Sequence, residues 1–126
     1  MLLPNLERAS IAIEKLRDYV LNPDHPTGRN KARVFKDRLG IGRKHAVVFG
    51  EIIKASLPRA LAEKTKECSY GTHWVTYHEI IGIGGQSVIV TVAWIYKTEE
   101  PETPTLITCY IETRRQEQLA KLLEQT

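Results

Sequence analysis

An α+β fold, with N-terminal helices packed on one face of an antiparallel β-meander of three to four strands and a C-terminal helix, is what this sequence predicts. Three observations predict it. Apolar residues recur at helical spacing in the first half of the chain, at Ile13, Leu16 and Val20 and again at Ala32, Phe35 and Leu39. From Thr65 onward the period changes to that of strands, and Ser87 to Tyr96 is an almost unbroken β-branched and aromatic run. The helical and extended segments are segregated along the chain, which favours helices stacked on a meander over a doubly wound parallel sheet.

Taken in order, Leu2 to Ile13 reads as an irregular or extended lead in which Ala9, Ile11 and Ile13 alternate like a half-buried strand. A helix follows from Ile13 to Leu21 and stops at Asn22-Pro23, because proline disfavours helix in the residue before it. Tyr19 fits either face of that helix. The turn 22–28 holds two prolines, His25 and Gly28, and releases the chain into a helix from Arg29 to Leu39 with Ala32, Phe35 and Leu39 as its buried stripe. Gly40 closes it as a left-handed cap. A third helix runs from about Lys44 to Ala55, with Val48, Ile52 and Ala55 on the expected buried face and Val47 and Phe49 widening it.

Lys64 to Tyr70 is a weakly alternating first strand. Thr72 to Ile81 and Gln86 to Thr98 form a hairpin around Gly82-Ile83-Gly84-Gly85. That glycine loop joins two strands with no helix after it, so it is a turn and not a nucleotide cradle. Leu106 to Ile111 is a last short strand, and period two puts Leu106, Thr108 and Tyr110 on one side and Ile107, Cys109 and Ile111 on the other. Gln116 to Glu124 ends the chain as a polar helix docked by Leu119, Leu122 and Leu123.

The 126 residues fit one domain spanning 1–126. The 42% apolar and 26% charged content is that of a globular protein, and no apolar run approaches the roughly 18 residues of a membrane span. The N-terminus lacks a basic patch followed by an apolar core, so a cytoplasmic location and no membrane partner are expected. Cys68 and Cys109 are far apart and lack metal-binding spacing, which predicts free core thiols. The net charge of +3 hides a local excess: between Arg29 and Lys44 seven Lys or Arg stand against Asp37 alone, a balance of +6. Such a field concentrates polyanions such as nucleic acid, and it is also what a solvated helix face looks like.

His25, His45, His73 and His78 have no helical ligand spacing or completing carboxylates, so no metal and no cofactor are expected. What remains is acid–base chemistry. Histidine as a residue type can serve as general acid or base, and beside His25 the residues Arg29, Lys31 and Arg33 crowd the start of the following helix, where the dipole disfavours cations by ~0.3–1 kcal/mol each. Backbone donors, dipole and cations together describe an anion site suited to phosphate. RNA carries its own 2′-hydroxyl nucleophile, so a histidine and a cation suffice in principle to cleave it. Thr108 and Tyr110 would position the phosphate, and Trp94, with Trp74 and Tyr77, would stack on bases. Against these stand a loop-fixing His25, solvent-facing Thr108 and Tyr110, and aromatic residues that are simply core.

The chain resembles a family of small bacterial domains of unknown function. The resemblance is carried by Leu3-Pro4-Asn5, by Lys15 to Phe35 with its NPDHP turn followed by G and KAR-F, by Tyr70-Gly71-Thr72, by Thr91 to Ile95 and by Leu106 to Tyr110. Members occur alone or as C-terminal modules of polymorphic toxins and phage-related proteins. That family is in turn similar to the metal-independent ribonuclease toxins of the barnase, EndoU, colicin and RelE group. The similarity implies a catalytic His25 and Lys31 from the helical part with Thr108 and Tyr110 from a late strand; the residues themselves add substrate contacts at Arg29, Arg33 and Trp94, and a toxin would have a cognate antitoxin protein. It departs from a two-histidine mechanism, since no second histidine stands opposite His25. The expectation is a metal-independent endoribonuclease acting as a toxin; the alternative is a non-catalytic module binding protein or nucleic acid through the same basic surface.

Overall fold

The computed structural model describes residues 1–125. A 3-10 turn at Leu6–Arg8 precedes helix α1 (Ile13–Lys15), which widens into a π turn over Leu16–Val20. Helix α2 (Arg29–Leu39) follows, then a 3-10 turn at Arg43–His45 that leads into α3 (Ala46–Ser56). A further turn at Leu57–Arg59 opens the sheet of β1 (Leu61–Cys68), β2 (Gly71–Ile81), β3 (Ser87–Lys97) and β4 (Pro104–Tyr110), and α4 (Gln116–Glu124) ends the chain. The strands are antiparallel in the order β1-β2-β3-β4, so the fold is the expected α+β arrangement of helices on a meander.

The reason β3 reads as continuous apolar sequence is that both its faces are covered. Val90, Val92 and Trp94 pack beneath the N-terminal helices with Phe35, Phe49 and Ile53. Ile89 packs on the other face with Tyr77 and Leu119 of α4. Where β4 has ended, Gln116 takes over its pairing: its amide oxygen accepts from the Ile89 N–H at 2.8 Å and its amide nitrogen donates to the Ile89 carbonyl at 3.0 Å. A side chain thus supplies the rung that the missing strand would have made.

Four expectations are corrected. The lead of residues 2–13 is not a strand: only Ser10 pairs, its N–H donating to Pro104 and its carbonyl accepting from Leu106, a single parallel bridge at the edge of β4. In α3 the buried face is Ala46, Phe49, Gly50, Ile53 and Ser56, whereas Val48 is 48% and Ile52 39% exposed. Apolar residues circle most of this helix, and Phe49 decides its orientation by meeting Phe35 edge-on at 5.3 Å. In β4 the partner register jumps from Ala93↔Thr108 to Trp94↔Leu106, so Ile107 is an extra, bulged residue and Leu106 moves to the core face with Cys109. Cys68 is exposed, so of the two thiols only Cys109 lies in the core.

Candidate active site

The turn before α2 is fixed by its own side chains. Asn22 accepts from the Asp24 N–H at 3.0 Å, and Nδ1 of His25 accepts from the backbone N–H groups of Thr27 at 3.1 Å and Gly28 at 3.0 Å. Two donors aimed at Nδ1 fix the neutral ring in the form that carries its hydrogen on Nε2. They also use N–H groups at the mouth of the helix that were expected to await an anion. Gly28 is dictated by a close approach, since a Cβ there would lie 2.3 Å from the Tyr19 carbonyl oxygen.

That approach brings α1 and α2 together around Lys31. The half-buried Lys31 ammonium donates to the Tyr19 hydroxyl at 3.0 Å and to the Thr108 hydroxyl at 3.2 Å. It also lies 4.9 Å from the centre of the Tyr19 ring and 5.8 Å from that of Tyr110. His25 meets the Tyr19 ring edge-on at 4.9 Å. Thr108 and Tyr110 pair across the ladder with Ala93 and Thr91, so Lys31 reaches them around the edge of β4, just past the bulge at Ile107 and beyond the stretch that Ser10 covers.

Electrostatics single out Tyr19. The hydrogen bond from Lys31 holds its phenol below the ordinary value in spite of burial, and the Lys31 charge and the Thr108 and Thr27 hydroxyls act in the same direction. Tyr110 is pushed the other way, by burial first and by the Glu112 carboxylate second. An open hollow of about 530 Å³, lined by Ala12, Glu14, Lys15, Asp18, Tyr19 and His25, reaches the Tyr19 and His25 side of this cluster; Lys31, Thr108 and Tyr110 are not in its lining.

His25, Lys31, Thr108 and Tyr110 are therefore brought into one neighbourhood. Arg29 and Arg33 are not. Residues two apart on a helix point about 200° apart, so Lys31 faces the sheet while both arginines line a separate groove with Leu21, Pro23 and Ile41. Trp94 is excluded from substrate contact: it is 0% exposed, and its indole N–H donates to Thr76 at 2.9 Å in the core. Trp74 and Tyr77 are buried as well. The residues that sequence reasoning missed are Tyr19 and Thr27. The available signal was the Tyr19 position, three residues before the NPDHP turn, on a helix face that its period left undecided.

The model of a family described as a Domain of unknown function (DUF6883) matches residues 2–113. The chain belongs to this family. No curated protein matches it. Among solved structures, it is similar to a chain of a contact-dependent growth inhibition toxin and immunity protein complex from Klebsiella pneumoniae 342, with a TM-score of 0.59 and 16% identity over 85% of this chain and 96% of that one. At that identity the likeness is one of fold. It places this family's helices and meander in the same architecture as that chain. Among the described residues, no helix is long and apolar enough to cross a membrane, and no group of three or more His, Cys, Asp or Glu could hold a metal ion.

Proposed function

We propose that this family member is a metal-independent endoribonuclease, a toxin that cuts RNA by acid–base chemistry and is held in check by a cognate inhibitor protein. The observation that carries this reading is Lys31 bridging Tyr19 and Thr108 at the open edge of β4, beside His25. An ammonium in contact with a phenol of lowered pKa gives an acid and a base in hydrogen-bond contact, in a half-buried site where electrostatic stabilisation is stronger than in water.

In this reading the Tyr19 phenolate takes the proton of the RNA 2′-hydroxyl, whose oxygen attacks phosphorus and forms a 2′,3′-cyclic phosphate. The 5′-oxygen leaves with a proton from the Lys31 ammonium, and the Tyr19–Lys31 hydrogen bond returns the transferred proton to reset the pair. With Nδ1 occupied as an acceptor, His25 offers Nε2–H to a phosphate oxygen. Acting as a base at Nε2 would require hydrogen on Nδ1, opposite two N–H donors. Thr108 and Tyr110 position the phosphate. Incubating the purified protein with RNA in EDTA tests the reading: cyclic-phosphate ends on the products support it, and intact RNA at enzyme excess refutes it.

The exposed Arg29 and Arg33, which have no side-chain hydrogen bond or ion pair among the described residues, favour a second reading in which the basic surface only binds. RNA binding that falls steeply with salt, without cleavage, is its signature.

A further inference from the structure

On the far side of α2 from Lys31 is a groove of about 430 Å³. Its floor is aliphatic, from Leu21, Pro23, Ala32 and Ile41, and Arg29, Arg33 and Lys36 line it at positions that recur along one helix face. Asp37 and Arg43 complete the rim, and Arg43 is already paired with Asp18 at 2.9 Å. Among the described residues Arg33 and Asp37, four apart on the helix, form no ion pair with each other.

Ile41 also lines a second, smaller hollow, between α3 and the β2–β3 hairpin, so the two share that side chain as a wall. The hairpin tip is pinned there by the Ile83 N–H donating to the Leu39 carbonyl at 3.0 Å, and Gly82 packs so tightly that a Cβ would lie 2.8 Å from Leu39. This second hollow is rimmed by side chains that have no business in water: Ile81 is 71% exposed, Ile83 69%, Val48 48% and Ile52 39%. An aliphatic surface on either side of Ile41, with cations along one border, has the make-up of a protein interface, apolar at its centre and charged at its rim.

We infer that this surface docks a separate acidic protein through an amphipathic helix, its carboxylates on Arg29, Arg33 and Lys36 and its apolar side chains over Ile41 and Ile83. RNA is the poorer occupant. Bases need an aromatic face or hydrogen-bonding edges, whereas the floor offers aliphatic carbon only, and a nucleic acid gains nothing by covering isoleucines. Cationic side chains spaced three and four residues apart match carboxylates at the same spacing on a facing helix. The +6 balance over Arg29 to Lys44 would speed encounter with an acidic partner. The partner's role as an inhibitor rests on the toxin reading; the surface itself does not.

Fluorescence anisotropy with two labelled probes tests this. One is a synthetic helical peptide with Glu at three- and four-residue spacing on one side and Leu on the adjoining side; the other is a 2′-O-methyl oligoribonucleotide, which cannot be cleaved. Saturable peptide binding, weakened about tenfold or more both by Arg29→Glu with Arg33→Glu and by Ile83→Asp, supports the inference. All three positions are exposed, and unchanged melting confirms that the variants fold. No saturable peptide binding, or peptide binding indifferent to these substitutions, overturns it. So does oligonucleotide binding that depends on the two arginines while the peptide is ignored. Lys31→Ala should leave peptide affinity unchanged, so loss of cleavage and loss of docking are read separately.

Discussion

The Lys31 ammonium lies 3.0 Å from the Tyr19 hydroxyl, two side chains from different helices that meet where Gly28 lets the turn press against the Tyr19 carbonyl. The contact joins local backbone geometry to chemistry, and substitutions on either side of it have distinct consequences.

Gly28→Ala should displace the turn. A Cβ would sit 2.3 Å from a backbone oxygen and 3.0 Å from the Tyr19 ring, and backbone cannot give way as a flexible side chain does. Urea unfolding is expected to show a loss of about 1–3 kcal/mol, with RNA cleavage falling further than the stability change explains. A variant as stable and active as the parent would mean that the close approach has no consequence.

Tyr19→Phe removes the phenol and keeps the ring beside His25. Because the lowered group is a base only when ionised, cleavage by the parent should rise with pH until the phenol has lost its proton, at a pH below the ordinary tyrosine value. In Tyr19→Phe that rise should disappear and the rate should drop about a hundredfold or more. Identical pH profiles would remove Tyr19 from the reaction.

Much of the fold was legible in the sequence, and the exceptions have physical causes. Ala32, Phe35 and Leu39 are buried as their spacing predicts, because α2 has one apolar stripe and no rival. Helix α3 has apolar residues on most sides, and period alone could not choose between the Val48–Ile52 side and the Phe49–Ile53 side. The bulge at Ile107 carries no sequence signal of its own and shifts Leu106 across the sheet. The separation of Lys31 from Arg29 and Arg33 was legible in helical spacing. Tyr19 was not, because the π turn over Leu16–Val20 breaks the period from which its direction would be read.

Buried His78 gives a pH-dependent stability. Burial, with Arg59 adding to it, pushes the ring down to about 4 from 6.5, and its neutral form links Ser56 at 2.6 Å to Thr76 at 2.7 Å. Below the ordinary value the unfolded chain takes up a proton that the folded chain refuses. Stability contributed by this group is therefore complete above pH 6.5, is lost as the pH falls towards about 4, and then levels off. The loss should be about 3 kcal/mol at most, read by urea unfolding across that window. His78→Asn should flatten this part of the curve; an unchanged slope would show that other groups cause it.

Trp94→Phe should act on stability and not on RNA affinity. It leaves the Thr76 oxygen without its indole donor in the core, at an expected cost of about 1–3 kcal/mol. Weaker RNA binding at unchanged stability would contradict the burial of Trp94.

Single-turnover cleavage of an end-labelled RNA in EDTA, with the parent, Lys31→Ala and Thr108→Val compared after each is shown to be folded, bears on the catalytic site most directly. The bridge predicts cyclic-phosphate products from the parent, a rate about a hundredfold or more lower for Lys31→Ala, and a smaller loss for Thr108→Val. Equal rates for the parent and Lys31→Ala would contradict it.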